Sequence, residues 1–383
     1  MTKTENRPHG LELGDIFREH AQDYLTTHTL CPVQIKAIRD IMTCRTNQMK
    51  GHLYQCNSCG NREQSYNSCR NRHCNKCQFI RQSLWSDKMK GKLIPGKYFH
   101  LVFTVPESLN KLFYVNQQSC YSMLFKIAWS ALNDLCNSPR FLGAQTGAVA
   151  VLHTWSSTMT YHPHVHMIVP AGGLSEDQME WVKTKPGFLV PVKVLSKIFR
   201  ARFCAKLKSM IADNVLTLPK GTDVNDLWEV LYKKHWVVYA KKTGKTVDHA
   251  LEYLARYTNR VAIGNNRITN FTNGKVTFRY KDPKTGRYNR EMTLPVNEFI
   301  RRFMQHILPR GFYKIRYFGI FATANINGKK EQCLALAEKE PFVCELEGLN
   351  NYEAFRHITG SDPSKCKICK TGRMIPVVLL NTG

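Results

Sequence analysis

The stretch TMTYHPHVHMIVPAGG, residues 158–173, places histidines at positions 162, 164 and 166 of an otherwise apolar run. Side chains of a strand alternate between the two faces of a sheet, so His164 and His166 should share one face while Val165 points to the other. The β-favouring residues that follow predict a strand, which the Pro-Ala-Gly-Gly sequence would end. Two neutral imidazoles side by side are half of a divalent-metal site. A partly solvated polar strand face is the alternative.

The charge of the chain is strongly one-sided. Among 383 residues, 55 are Lys or Arg and 29 are Asp or Glu, which leaves a formal net charge of +26. A field of this sign attracts polyanions, most often nucleic acid, with anionic membrane surfaces as the competitor. No segment approaches the ~18 apolar residues that span a bilayer, and the N-terminus has no signal-peptide core. We therefore expect a soluble, cytosolic protein that has no membrane partner.

A cysteine-rich block, CNSCGNREQSYNSCRNRHCNKC (56–77), contains two CxxC pairs. Two such pairs present four thiolates to one tetrahedral ion, so the spacing predicts a structural Zn²⁺ site. In a cytosolic chain, clusters of this kind are metal sites more often than disulfides. Chance clustering and a redox pair are the alternatives. The predicted ligands are Cys56, Cys59, Cys74 and Cys77.

Further metal-ligating and basic residues surround these pairs. A second site or alternative ligands could come from Cys44, His52, Cys69 and His73, whereas the late pair Cys366 and Cys369 supplies only two ligands. Basic side chains between the ligands would point at phosphates if the backbone is rigid, and a solvated face is the alternative. These candidate DNA-binding residues are Arg70, Arg72 and Lys76.

The order of predicted elements indicates an α+β protein. Apolar residues at helical spacing predict helices over residues 11–43, and a further helix is predicted over 84–96. Downstream, strand-like runs such as KYFHLVFTVP and AVAVLHTW are mixed with helices, which favours an antiparallel sheet with flanking helices. We predict three domains: a helical and zinc-binding domain (1–90), a catalytic domain (91–310) and a C-terminal extension that carries a CxxC pair (311–383).

A predicted helix, HALEYLARYTNR, carries two tyrosines four residues apart, which would stack on one face of the helix. Aromatic residues at this spacing are usually part of a core. Here Tyr253 and Tyr257 occur in a basic chain that also has paired histidines, and Arg256 and Arg260 beside them are candidates for phosphate binding.

An ordered set of motifs resembles the rolling-circle, HUH-type transposases of the insertion-sequence IS91 family. The motifs are YNSCRNRHCNKCQ, KYFHLVFTVP, HPHVHMIVPAGGLS, WVVYAKK, YLARYTNRVAI, VTFRYKD and LPRGFYKIRYFG. The resemblance implies an HUH endonuclease-like sheet in which His164 and His166 hold Mg²⁺ or Mn²⁺. It also implies that Tyr253 and Tyr257 cleave single-stranded DNA and transfer the strand through a 5′-phosphotyrosine. The partners would be single-stranded or hairpin ends of a mobile element in the bacterial cytosol.

Several alternatives stay open at this point. The third ligand of the catalytic cation could be His162, His100, His249 or Glu252. A GxxxxGK[ST] phosphate loop is missing because position 239 is tyrosine, so strand displacement would need a host helicase or replication machinery. The alternative functions are a rolling-circle replication initiator, a non-catalytic zinc-containing DNA-binding regulator and a metal-dependent hydrolytic nuclease.

Overall fold

The computed structural model describes residues 10–243, 262–282 and 285–380. The α-helices of these residues are α1 (Leu13–Thr27), α2 (Pro32–Thr43), α3 (Gln78–Lys90), α4 (Asn110–Val115), α5 (Gln117–Asn137), α6 (Val192–Ala212), α7 (Val224–Lys233), α8 (Val296–Met304), α9 (Ile326–Leu336) and α10 (Asn351–Thr359). The strands are β1 (Gly51–Cys56), β2 (Arg62–Tyr66), β3 (Tyr98–Thr104), β4 (Gly147–Trp155), β5 (Tyr161–Pro170), β6 (Gly172–Leu174), β7 (Trp181–Lys183), β8 (Val238–Lys242), β9 (Ile268–Thr272), β10 (Lys275–Tyr280), β11 (Arg290–Pro295), β12 (Ile315–Gly319) and β13 (Met374–Leu380).

The histidine stretch forms β5, the middle strand of a five-stranded antiparallel sheet with the order β12-β4-β5-β3-β8. Alternation divides β5 between two faces, as predicted. Val165, Met167 and Val169 are buried in the main core, where α5 and α6 cover the sheet. The histidines of β5 therefore lie on the opposite face. The mixed α+β architecture with an antiparallel sheet is confirmed.

A second core joins the N-terminal helices to the three-stranded sheet β11-β10-β9. Phe17 of α1 packs edge-on against Phe303 of α8, with ring centroids 5.4 Å apart. Apolar residues of α2 and the thiols of Cys44 and Cys74 belong to the same core. The N-terminal region thus shares its hydrophobic interior with residues near position 300.

The segment 311–383 contributes strands to two different sheets. Strand β12 pairs with β4 at the edge of the central sheet. Strand β13 pairs antiparallel with β1 and completes the sheet β13-β1-β2, with Cys56 opposite Met374. The predicted domain boundaries stay a prediction, but residues 374–380 pair with the hairpin of residues 51–66 in this small sheet.

One predicted helix is displaced along the chain. Helix α3 spans 78–90 instead of 84–96, because it begins directly after Cys77 and its last turn closes at Gly91, whose amide donates to the carbonyl oxygen of Asp87. Pro95 then leads into β3. Within the described ranges, none of the helices has an apolar stretch that could cross a lipid bilayer.

Candidate active site and cysteine clusters

Three histidines converge on the face of the central sheet opposite the main core. His153 of β4 is the register partner of His164 of β5, and His166 follows two residues along the same face. One ring nitrogen from each residue lies within 4.8 Å of the others. Imidazole nitrogens at this separation are a donor set that suits a divalent cation.

Neighbouring groups orient these rings. The Nδ1 atom of His164 lies 2.6 Å from the carbonyl oxygen of His162, which only accepts, so His164 donates Nδ1–H and keeps a lone pair on Nε2. The Nδ1 atom of His166 lies 2.9 Å from Nε2 of His100 on β3. Trp155 stacks on His153, with centroids 4.8 Å apart and the rings tilted by 19°. Contacts of this kind fix ligand orientation in metal sites.

Burial keeps the rings of His164 and His166 neutral. It lowers the pKa of His164 to about 4 and holds the pKa of His166 well below its usual range. It also lowers the pKa of His100 to about 4. The lone pairs that a cation needs are therefore available at neutral pH, because a protonated imidazole cannot coordinate.

The histidines open into a cleft of about 280 Å³. The β10–β11 connection brings exposed Lys281 and Tyr288 to its wall, where a cation and a phenol face the site. Arg267 also lines the cleft, but its guanidinium donates to the carbonyl oxygens of Arg279 and Ser157. Arg267 therefore connects segments of the cleft wall through these hydrogen bonds.

His153 was not predicted as a ligand. A β4–β5 hairpin centred on the polar turn at 156–160 would place His153 opposite Pro163, and the register shift between His153 and Trp155 places it opposite His164 instead. Among the predicted third ligands, His162 lies outside the three-histidine group, and His100 contacts His166 instead of completing the group. The other predicted residues lie outside the described residues: His249, Glu252, Tyr253, Arg256, Tyr257 and Arg260.

The N-terminal cysteine cluster consists of Cys44, Cys69, Cys74 and Cys77. The sulfur of Cys77 lies 3.5 Å from that of Cys44 and 3.7 Å from that of Cys69. Sulfurs around a tetrahedral Zn²⁺ are about 3.8 Å apart, as follows from a Zn–S bond of about 2.3 Å. Hydrogen bonds within the cluster, of which the one from Cys69 has the largest effect, lower the pKa of Cys44 to about 7. The donor set therefore fits zinc.

This arrangement corrects the predicted single site of Cys56, Cys59, Cys74 and Cys77. Cys56 and Cys59 lie with Cys366 and Cys369, in a separate cluster of four thiols. The physical reason is the hairpin of β1 and β2. Cys44 and Cys69 flank its open end, whereas Cys56 and Cys59 lie at the end with the turn. The two ends are roughly 20 Å apart, because β1 has six extended residues.

The predicted accessory histidines do not enter either cysteine cluster. His52 lies on β1 beside the ring of Tyr54. The Nε2 atom of His73 accepts hydrogen bonds from Nε of Arg72, at 3.3 Å, and from the amide of Leu308, at 3.4 Å. Burial holds the pKa of His73 well below its usual range, so it is a neutral acceptor inside the protein.

Within the cysteine-rich block, two of the three basic residues predicted to bind DNA have intramolecular partners. Arg72 donates to the carbonyl oxygens of Phe312 and Pro309 at 2.6 and 2.7 Å. Lys76 forms an ion pair with Glu12 at 2.6 Å, and both side chains are at most 20% exposed. Only Arg70 of the three is exposed. Arg72 and Lys76 are therefore held in contacts that connect the loop from Cys69 to Cys77, here called the cysteine loop, to the rest of the protein.

Comparison with known proteins agrees with these features. Residues 147–330 match a protein family described as "Putative transposase", and residues 16–105 match one described as "Transposase zinc-binding domain". "Putative transposase y4qJ" of Sinorhizobium fredii is 37% identical over 382 residues, covering 97% of this chain and 96% of that protein. The "Transposase for insertion sequence element IS801" of Pseudomonas savastanoi pv. phaseolicola is 27% identical, covering 88% of this chain and 82% of its own length. No solved structure matches the chain.

The antiparallel sheet, the cysteine cluster and these matches define a transposase with a zinc-binding domain. Within that class, the chain belongs to the IS91 family.

Proposed function

We propose that this transposase cleaves one DNA strand and transfers it through a 5′-phosphotyrosine intermediate during rolling-circle transposition. The observation that supports the proposal is the group formed by His153, His164 and His166 at the base of an open cleft. A donor set of three imidazoles suits metal-assisted chemistry on phosphate. The strong positive charge of the chain suits a polyanionic substrate.

The three histidines would hold Mg²⁺ or Mn²⁺. Such an ion polarises a phosphate and offsets the charge that develops during attack. His164 is already oriented for this role, because its Nδ1–H is directed at the carbonyl oxygen of His162. A cation-binding His166 would donate its own Nδ1–H to Nε2 of His100, which makes His100 a positioning residue.

The nucleophiles in this proposal are Tyr253 and Tyr257. The phenol loses its proton, its oxygen bonds to phosphorus, and the bond from phosphorus to the 3′ oxygen breaks. The 3′ oxygen then takes up a proton. The free energy of the phosphodiester bond is retained in the phosphotyrosine, so the strand can be passed to a second 3′ hydroxyl. Two tyrosines allow two successive cleavages, and Lys281 at the wall of the cleft would bind a flanking phosphate.

The zinc-binding domain would position DNA. Cys44, Cys69, Cys74 and Cys77 would hold one Zn²⁺ and so make the loop between them rigid. Arg70 lies exposed on this loop and is the basic side chain there that we assign to phosphate binding. The DNA would be single-stranded or a hairpin end of the mobile element, opened by a host helicase or by replication.

An adduct assay tests the proposal. Single-stranded oligonucleotides that cover the ends of the encoding element are incubated with the protein and Mg²⁺, then separated under denaturing conditions. We expect a covalent protein–DNA species that disappears in the double variant Tyr253→Phe, Tyr257→Phe. Tyr313→Phe is the matched control, because Tyr313 is 80% exposed and lies outside the cleft. Cleavage without an adduct would indicate a hydrolytic nuclease, and binding without cleavage would indicate a regulator.

A further inference from the structure

Four cysteines that are distant in the sequence form the second cluster. Cys56 ends β1 and Cys59 lies in the turn that follows, whereas Cys366 and Cys369 lie in the turn before β13. The sulfur–sulfur distances across the cluster are 3.7 Å for Cys56 and Cys369, and 3.7 Å for Cys59 and Cys366. A disulfide requires about 2.05 Å, whereas sulfurs around tetrahedral Zn²⁺ are about 3.8 Å apart. The spacing therefore fits thiolates around an ion.

The two CxxC turns have the same backbone conformation. The amide of Gly60 donates to the carbonyl oxygen of Cys56 at 3.1 Å, and the amide of Lys370 donates to that of Cys366 at 2.9 Å. The residue after each second cysteine is left-handed, with φ of +71° at Gly60 and +60° at Lys370. Residues other than glycine adopt this conformation only rarely.

Backbone amides also point at the sulfurs. The amide of Cys59 lies 3.5 Å from the sulfur of Cys56, and the amide of Gly372 lies 3.3 Å from the sulfur of Cys369. Donors directed at sulfur favour its anionic form, which is the form that binds metal. Each half of the cluster thus contains a sulfur that accepts a hydrogen bond from a backbone amide.

The two turns are held against each other by direct contacts. The amide of Asn57 donates to the carbonyl oxygen of Arg373 at 3.0 Å, and the amide of Arg373 donates to Oδ1 of Asn57 at 2.8 Å. A Cβ atom at Gly372 would lie 2.4 Å from the sulfur of Cys56. Only glycine allows the backbone to approach the cluster this closely.

We propose that these four cysteines bind a second zinc ion, which fastens strand β13 to the hairpin of β1 and β2. Four thiolates in tetrahedral spacing select Zn²⁺ over harder divalent ions. The site extends beyond the matched zinc-binding domain, which covers residues 16–105 and so includes only Cys56 and Cys59. The hairpin of β1 and β2 then has one zinc ion at its open end and one at its turn.

The second zinc site would form late during synthesis of the chain. Cys59 and Cys366 are 307 residues apart, so the site is complete only after the residues up to Cys369 have been synthesised. The ion would also hold β13 against β1, which covers an edge that would otherwise expose unpaired backbone groups. Loss of the ion should therefore loosen β1, β2 and β13 together.

Zinc content and thiol reactivity of the wild-type protein test the proposal without any variant. The zinc content of the full chain, purified with a reductant and without chelators, is measured by inductively coupled plasma mass spectrometry. It should be two zinc ions per chain. N-ethylmaleimide should spare the four clustered thiols and modify exposed Cys31, and a strong zinc chelator should then release all four. One zinc per chain, a different metal, or disulfides among these four cysteines would overturn the proposal.

A variant locates the second ion. Cys366→Ser with Cys369→Ser should reduce the zinc content from two ions to one and increase hydrogen exchange in β1 and β13. The control Cys31→Ser should keep both ions, because Cys31 belongs to neither cluster. A double variant that retains two zinc ions would exclude these ligands. The readout is metal content, so it does not depend on whether the protein cleaves DNA.

Discussion

Arg72 gives the sharpest test of how the cysteine loop is attached. The sequence predicts that this side chain binds phosphate, whereas its guanidinium donates to three carbonyl oxygens, those of Leu308, Pro309 and Phe312. We predict that Arg72→Ala destabilises the contact between the loop and residues 308–312. Hydrogen bonds from a charged donor contribute about 1.5–3 kcal/mol each.

The size of the effect can be worked from the geometry. Two of the three bonds are short, at 2.6 and 2.7 Å, and the third is 3.2 Å. The two short bonds set an upper range of about 3–6 kcal/mol, and water that reaches the half-buried site would restore part of it. We therefore expect a loss of about 3 kcal/mol, or roughly a hundredfold increase in local opening. Arg72→Lys should lie in between, since one ammonium group cannot serve all three oxygens.

Hydrogen exchange followed by mass spectrometry measures this opening directly. Peptides that span residues 305–315 should exchange roughly a hundredfold faster in Arg72→Ala than in wild type, where opening limits exchange. Arg70→Ala is the matched control, because Arg70 lies exposed on the same loop. If Arg72→Ala leaves exchange unchanged but weakens binding of single-stranded DNA, then Arg72 binds phosphate and the structural interpretation is wrong.

Two further predictions concern the histidines. His153→Ala removes one of three ligands, so it should weaken Mn²⁺ binding at least tenfold in titration calorimetry. The control His162→Ala should change the Mn²⁺ affinity less than threefold. Equal losses of affinity in the two variants would contradict the assignment of His153. Burial lowers the pKa of His306 to about 4, whereas its value in the unfolded state is about 6.5. The unfolded state therefore takes up the proton first, and the stability of the folded protein falls as the pH drops from 6.5 towards 4. Between pH 7.5 and 4.5 this residue should account for a loss of about 2.5 kcal/mol, and in denaturant titrations His306→Asn should flatten the pH profile by that amount; a parallel profile would refute the attribution.

Local patterns in the sequence are sufficient to predict much of the fold. The alternation in β5 places His164 and His166 on one face because the side-chain period of a strand is two. The helical spacing of apolar residues predicts α1 and α2 for a similar reason. Each CxxC pair is a local turn, so its ability to present two thiols follows from the residues themselves.

The tertiary structure decides which of these local units meet. Because they are neighbours in the chain, the CxxC pair that begins at Cys56 is predicted to share an ion with the pair that begins at Cys74. The hairpin of β1 and β2 separates these two pairs, and the pair that begins at Cys366 lies beside Cys56 instead. His153 joins the three-histidine group only through the register of β4 against β5. Arg72 turns inward because the 308–312 turn offers it carbonyl oxygens. Periodicity encodes which side chains share a face, whereas contacts between distant segments depend on how the whole chain packs.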